Sequence, residues 1–201
     1  SELKGINSIA DIGTDHGKLP VYAIQNGIIN SAIATDISAA SLQKARNLAT
    51  ASGIDITTRV GDGLCPLKPF EVECVVIAGM GGHEIVKIIS DRIREYEKYI
   101  FVPHKKGHIV RDFLRANNLG ILSDKVVKEG KFFYHIITCN IFNKWNSSHN
   151  IYVGTDNSLD NADFLEYLKY RTSVLEALIA KSKGDNRAFF EEKKELDKWK
   201  K

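Results

Sequence analysis

Ile9-Ala10-Asp11-Ile12-Gly13-Thr14-Asp15-His16-Gly17 decides the fold of this chain. An apolar, β-branched run stops there at glycines and acids, as the carboxyl end of a parallel strand does where it meets a loop. Downstream, Ala34-Thr35-Asp36, Gly61-Asp62-Gly63 and Ala78-Gly79-Met80-Gly81-Gly82 repeat the pattern. Ligands of open α/β sheets bind at such strand ends. Gly13 and Gly17 let the first loop turn tightly and bring backbone N–H groups towards a ligand. A helix is predicted next over 18–26, with Pro20 in its first turn. Asp36 follows the second apolar run, at the spacing where Rossmann-like folds set an acid against ribose hydroxyls. Asp62 arrives one βα unit later.

The glycine spacing separates two kinds of nucleoside ligand. A dinucleotide fingerprint needs G-x-G-x-x-G so that backbone and helix dipole approach a pyrophosphate, but Asp15 fills the second glycine position here. A carboxylate there repels pyrophosphate and suits the ammonium and sulfonium charges of S-adenosylmethionine. The cofactor is therefore expected on Asp11, Gly13, Asp15, His16 and Gly17 of the first loop, and on Asp36 and Ile37 of the second. Gly61, Asp62 and Gly63 extend the site, Asp62 accepting from the adenine amino group, and Ala78 and Gly79 complete it. His16 reads either as a substrate contact or as a hydrogen-bonding partner of the loop backbone.

Strands are predicted near 6–12, 32–36, 56–60, 72–78 and 99–102, with helices between, an alternation that gives a doubly wound parallel sheet. The pattern then changes. Segments 121–127 and 132–142, joined by Lys128-Glu129-Gly130-Lys131, read as an antiparallel hairpin. A Rossmann-like, mostly parallel methyltransferase-type sheet with an antiparallel terminal hairpin is expected over residues 1–150. A helical hairpin follows over 151–201, after the polar stretch 143–150 and the turn-rich Gly154-Thr155-Asp156-Asn157-Ser158. Its first helix, over 160–183, repeats Leu165, Leu168, Thr172, Leu175 and Ile179 at three and four, a coiled-coil seam. Gly184-Asp185-Asn186 breaks it, and Phe189, Phe190, Leu196 and Trp199 pack the second helix back. Such a tail serves oligomerisation and stability, or grips a large substrate; the expected state is a monomer or weak homodimer.

The chain of 201 residues has no run of the roughly 20 apolar residues that spans a bilayer and no signal pattern, which points to a cytosolic protein without membrane contact. Cys65, Cys74 and Cys139 are odd in number and lack a C-x-x-C, so neither a disulfide framework nor a zinc knuckle is supported. Cys74 and Cys139 lie in apolar runs and read as core. His104 and His108, with Asp112 four further on, have helical metal-face spacing, but nothing else in the sequence supports a metal and none is expected. The net charge of +3 is weak evidence for a polyanionic partner. Its distribution says more: Lys98, His104, Lys105, Lys106, His108, Arg111 and Arg115 surround one strand-to-helix junction, and Lys125, Lys128 and Lys131 follow on the hairpin. A solvated helix face is the competing reading.

Asp11-Ile12-Gly13-Thr14-Asp15-His16-Gly17-Lys18-Leu19-Pro20, Gly61-Asp62-Gly63-Leu64 and Ile77-Ala78-Gly79-Met80-Gly81-Gly82, in this order, resemble the bacterial tRNA (adenine(22)-N1)-methyltransferase family, over nearly the whole chain. Two features depart from the family pattern: the chain opens close to its first strand, where a helix is expected, and Val102-Pro103-His104 replaces a more usual Q-P-N. The resemblance implies methyl transfer from S-adenosylmethionine to N1 of adenosine 22 in tRNA. Adenine N1 already carries a lone pair, so catalysis rests on positioning, and the product ring is cationic. Asp15 is the candidate to stabilise that charge or accept a proton from the exocyclic amine; otherwise it caps the loop or binds the methionine ammonium. Met80, Gly81 and Gly82 would hold the base, Met80 by stacking, unless this is merely a tight turn. N1 lies on the Watson–Crick edge, so the base must be exposed or flipped. Recognition would then rest on tRNA shape and phosphates, through Lys105, Lys106, Arg111 and Arg115. A methyltransferase for another acceptor and a non-catalytic RNA-binding module remain alternatives; an oxidoreductase is disfavoured by Asp15 and the terminal hairpin.

Overall fold

The structure, a computed structural model, describes residues 2–154, 160–182 and 184–199. Five parallel strands form first: β1 (Ser8–Ile12), β2 (Ser31–Asp36), β3 (Thr57–Val60), β4 (Cys74–Ala78) and β5 (Lys98–Val102). β6 (Ile121–Glu129) and β7 (Phe132–Asn140) add an antiparallel edge. The order across the sheet is β3-β2-β1-β4-β5-β7-β6. This is the Rossmann-like sheet with a terminal hairpin that the alternation predicts. Its order reverses between β1 and β4, the switch point at which such sheets place ligands. The hairpin loop is tighter than expected: Glu129 pairs with Phe132, leaving Gly130, at φ 59°, and Lys131 as the turn.

Strand residues alternate between two apolar layers, as strands buried on both faces must. Ile9, Cys74, Val76 and Ile100 pack with Ala23 of α1 (Lys18–Gln25). Ala10, Ile12, Val75 and Ile77 pack with Ile85 and Ile89 of α3 (Gly82–Ile89) and Val110 and Leu114 of α4 (Gly107–Ala116). Between them, α2 (Ala39–Ala51) starts at Ser38, whose side chain accepts from Ser41 N at 3.2 Å. Cys74 and Cys139 are buried and Cys65 is exposed, all three as free thiols.

The tail forms α5 (Ala162–Lys181), capped by Asn161, and α6 (Arg187–Asp197). The two are joined by Arg171, which donates from Nε and Nη2 to both carboxylate oxygens of Glu192 at 2.6 and 2.7 Å. The buried face of α5 is Phe164, Tyr167, Leu168, Thr172 and Leu175, while the expected seam residues Leu165 and Ile179 are only half-buried. The shift has a packing cause. Rather than a narrow helix–helix seam, α5 lies on the hairpin, sharing a core with Val126 and Val153 as well as Leu196 of α6. Thr155, Asp156, Asn157 and Ser158 of the expected turn, and Lys183 at the expected helix end, lie outside the described residues. Among the described residues no helix is long and apolar enough to cross a membrane.

Candidate active site

The loop after β1 is built on the end of β2. Gly13 N and Thr14 N both donate to Thr35 O, at 2.8 and 3.0 Å. Asp11, 5% exposed, lies beneath the loop and accepts from Thr14 Oγ1 at 2.6 Å. Burial, helped by the charge of Asp36, raises its pKa to about 6. Asp15 takes the left-handed conformation at φ 46°; its carboxylate meets His16 Nδ1 at 2.5 Å, and its N–H points at Asp36 Oδ2 from 3.4 Å. Gly17, at φ 68°, has no room for a side chain: a Cβ would lie 3.0 Å from Ala45 Cα on α2. Asp36 Oδ1 accepts from Ser38 N at 2.8 Å.

A cleft of about 450 Å³ opens above the ends of β1, β2 and β3. Of the expected residues it gathers Gly13, Asp36, Ile37, Gly61, Asp62 and Gly63. Ile37 stands 74% exposed at the rim, an apolar surface suited to the face of a base. The wall formed by α3 and the following turn was not visible in the sequence: it contributes Glu84, Lys87, Ile88, Asp91 and Arg92. Arg92 donates to the carbonyls of Leu64 and Leu67, fixing the loop that carries Gly63. The acids Asp36, Asp62, Glu84 and Asp91 outnumber the bases Lys87 and Arg92, so the cleft favours a cation. Thr35 Oγ1, in the same wall, is buried without a hydrogen-bond partner in the structure. Bare glycine backbone, an excess of carboxylates and this orphaned hydroxyl fit S-adenosylmethionine. Asp15, His16, Gly17, Ala78 and Gly79 do not line the cleft itself.

The loop after β4 is stitched to the loop after β5. Gly79 N donates to Val102 O, His104 N to Met80 O and Gly82 N to Lys105 O, each at 3.0 Å. Gly82 is required by this contact, because a Cβ would lie 2.2 Å from Lys106 O. Met80, expected against an acceptor base, turns into the cleft instead, with Cε 2.3 Å from where a Cβ on Gly13 would stand. Gly79 holds φ 78° and faces open space.

The basic cluster divides. Lys105 and Lys106 are exposed beside the stitched loops and make no ion pair among the described residues. Arg111 is a correction: it is 1% exposed, and its Nε and Nη2 donate to Asp124 at 2.6 and 2.8 Å. Its Nη1 donates to Ile151 O at 3.2 Å, and Nη2 also meets His135 Nδ1 at 2.9 Å. A guanidinium so committed is a buried structural group rather than a phosphate contact. Burial, then the charge of Arg111, pushes His135 well below the usual histidine range, so its Nδ1 acts as an acceptor. Arg115 is exposed and pairs with Asp112. Lys98 lies at the opposite end of β5, donating to Glu2 O at 2.6 Å. Because α4 begins only at Gly107, His104 and His108 share no helical face. Among the described residues no group of three His, Cys, Asp or Glu side chains is placed to hold a metal ion.

Sheet order, switch-point cleft and acidic glycine-walled loops together define a Rossmann-like transferase architecture. The chain belongs to the methyltransferase-domain family, which it matches over residues 2–137. It is 31% identical over 134 residues to the tRNA (adenine(22)-N(1))-methyltransferase of Bacillus subtilis (strain 168), a match covering 64% of this chain and 56% of that protein. The match thus spans less than two thirds of the length of that curated relative. The structure of M. capricolum TrmK in complex with S-adenosyl-homocysteine, described as its natural cofactor product, is 25% identical with a TM-score of 0.82, covering 98% of this chain and 91% of that one. The B. subtilis M1A22 tRNA methyltransferase TrmK structure gives a TM-score of 0.75 at 25% identity, covering 98% and 90%.

Proposed function

We propose that this chain is an S-adenosylmethionine-dependent tRNA methyltransferase acting on N1 of adenosine 22. The observation that carries the reading is an acidic, glycine-walled cleft sharing a wall, the stitched loops after β4 and β5, with an exposed basic face. One side suits a cationic nucleoside cofactor and the other a polyanion. The names of the relatives supply the nucleotide and the position.

When bound, S-adenosylmethionine supplies the methyl group as an electrophile. Asp36 would hold the ribose hydroxyls, Ile37 and Asp62 the adenine, and the Gly13 backbone the approach beneath them. Asp11 and Asp15 supply carboxylates for the positive charges. The acceptor N1 needs no base: its bond to the methyl carbon would form as the carbon–sulfur bond breaks, the electron pair staying on sulfur and the positive charge passing to the adenine ring. Asp15, exposed on the same loop and backed by His16, is the proposed group that stabilises the ring cation. Gly79, with open space before it, leaves room for the base. Lys105, Lys106 and Arg115 would meet phosphates. The apolar face of α5 is covered by the chain's own hairpin and α6, which supports a monomer. A tRNA substrate places the reaction in the cytoplasm.

Incubation with unmodified tRNA bearing adenosine 22 and labelled cofactor, followed by digestion and mass spectrometry, tests the reading. The expected product is 1-methyladenosine at that position. Cofactor binding with a methyl group found on a different acceptor would refute the substrate, and no cofactor binding would refute the whole reading.

A further inference from the structure

We propose that a second cavity, between the 103–107 loop, the β6–β7 hairpin and the tail helices, takes one nucleotide of the substrate RNA flanking the reacting base. The inference rests on the RNA-methyltransferase reading and adds a subsite to it. The cavity has a volume of about 440 Å³, within the range of small-molecule sites.

Its charge is the reverse of the cofactor cleft. Lys105, Lys106 and Lys131 line it without an ion pair among the described residues. Glu192, the one acid among its lining residues, has both carboxylate oxygens occupied by Arg171. α4, ten residues long, starts here with Lys106 as N-cap and no side chain capping it, so its positive end adds to the same field. On its floor, the guanidinium of Arg111 has Nε, Nη1 and Nη2 already committed to Asp124, the Ile151 carbonyl and His135 Nδ1. An anion entering the cavity therefore meets free lysines and no open carboxylate.

The walls carry aromatic surface that the fold leaves uncovered. Phe132 is 57% and Tyr170 54% exposed. Tyr170 stacks on Phe133 at 5.4 Å and 28°, which fixes its ring, and Lys131 Nζ stands 5.4 Å from the centre of the Phe132 ring. Aromatic faces interleaved with lysines are how single-stranded nucleic acid is held: every base has a face to stack, and every nucleotide brings a phosphate. Position supplies the link to the reaction. His104, Lys105 and Lys106 line this cavity, and backbone hydrogen bonds tie His104 and Lys105 to Met80 and Gly82 at the cofactor cleft. A nucleotide bound here would neighbour the one presented at the stitched loops.

The test is equilibrium binding of a tRNA transcript across a salt series, with S-adenosylhomocysteine affinity and the melting temperature of each variant as controls. Phe132→Ala with Tyr170→Ala should weaken tRNA binding roughly tenfold with little change in salt dependence. Lys106→Ala with Lys131→Ala should make the slope of log K against log salt shallower by about 1.4 to 1.8. Both pairs should leave S-adenosylhomocysteine affinity unchanged and still melt cooperatively, the aromatic pair at a temperature lower by only the few degrees that the lost stacking on Phe133 accounts for. If the wild type methylates tRNA and the aromatic pair binds tRNA like the wild type, the subsite is wrong and the enzymatic reading stands. If tRNA binds and weakens as expected but no methyl is transferred, the cavity stands as an RNA-binding site, while its place beside a reacting base falls with the enzymatic reading. Absence of tRNA binding by the wild type overturns both.

Discussion

Asp124→Asn removes the charge that faces Arg111 while keeping the shape of the side chain. Arg111 and Asp124 side chains are 1% and 0% exposed, so water cannot replace the lost carboxylate. Two hydrogen bonds between ionised partners, at 2.6 and 2.8 Å, become at best one, from the guanidinium to an uncharged amide oxygen. The remaining partners of the guanidinium, His135 and the Ile151 carbonyl, are both neutral. Breaking a buried pair from one side costs about 3–5 kcal/mol. A domain whose net stability is about 5–15 kcal/mol loses a large share of it. At roughly 2–4 °C per kcal/mol for a chain of this size, the melting temperature should fall by about 6–20 °C. Removing both charges leaves no buried charge uncompensated, and only the neutral Ile151 carbonyl and His135 Nδ1 lose a donor, so Arg111→Met with Asp124→Leu should melt above Asp124→Asn. Circular dichroism melts and urea titrations of the three proteins measure this, with S-adenosylhomocysteine affinity as a control because the pair lies outside the cofactor cleft. A melting temperature for Asp124→Asn within about 2 °C of wild type, or a double variant below the single one, would refute the reasoning.

Asp36→Ala should weaken cofactor binding by about 1–3 kcal/mol while leaving tRNA affinity near wild type, and calorimetry giving equal cofactor affinities would remove Asp36 from the ribose. Asp11, raised from 3.8 to about 6, binds a proton more readily folded than unfolded, so its contribution to stability falls as pH rises through that window. Asp11→Asn should therefore gain up to about 3 kcal/mol at pH 7 and nothing near pH 4, and urea unfolding showing the same difference at both pH values would contradict the burial argument. Asp15→Asn should lower kcat on tRNA by about a hundredfold with a smaller loss of S-adenosylhomocysteine affinity; an unaltered kcat would return Asp15 to a loop or cofactor-binding role. Gly82→Ala, which drives a Cβ to 2.2 Å from Lys106 O, should cost about 1–3 kcal/mol of stability, and a wild-type melt would show that the two loops separate freely.

The parallel sheet is legible because β1 to β4 each end where an apolar run meets Gly or Asp, while β5 runs into Pro103, and the hairpin because Gly130 interrupts two β-rich segments. Strand starts were less so. Ile6 and Val72 continue the apolar pattern but precede the hydrogen-bonded ladder, which begins at Ser8 and Cys74. The near wall of the cofactor cleft carries its own motifs, whereas Glu84, Lys87 and Arg92 look like ordinary surface charges and acquire meaning only when α3 packs on β1 and β4 and brings Ile88 against Gly63 in the loop after β3. Arg111 was misread because a base on an amphipathic helix reads as solvent-facing unless its partner is known. A clue existed: Asp124 and Val126 occupy successive inward positions of β6, and an acid at an inward position calls for a buried cation. On α5, Leu168, Thr172 and Leu175 are buried as the repeat predicts, while Phe164 and Tyr167 rather than Leu165 and Ile179 complete the face, because a heptad seam presumes a helical neighbour and the neighbours of α5 include a strand.

The stitched loops act as a party wall between two rooms of opposite charge. Three backbone hydrogen bonds hold it together, and Gly82 lets its halves touch. A molecule made to fill both rooms cannot run its tether through that wall. It must climb over the crest at Gly79 to Gly81, with a cationic head for the cofactor side, an anionic head for the other, and an uncharged bridge short enough to follow the crest.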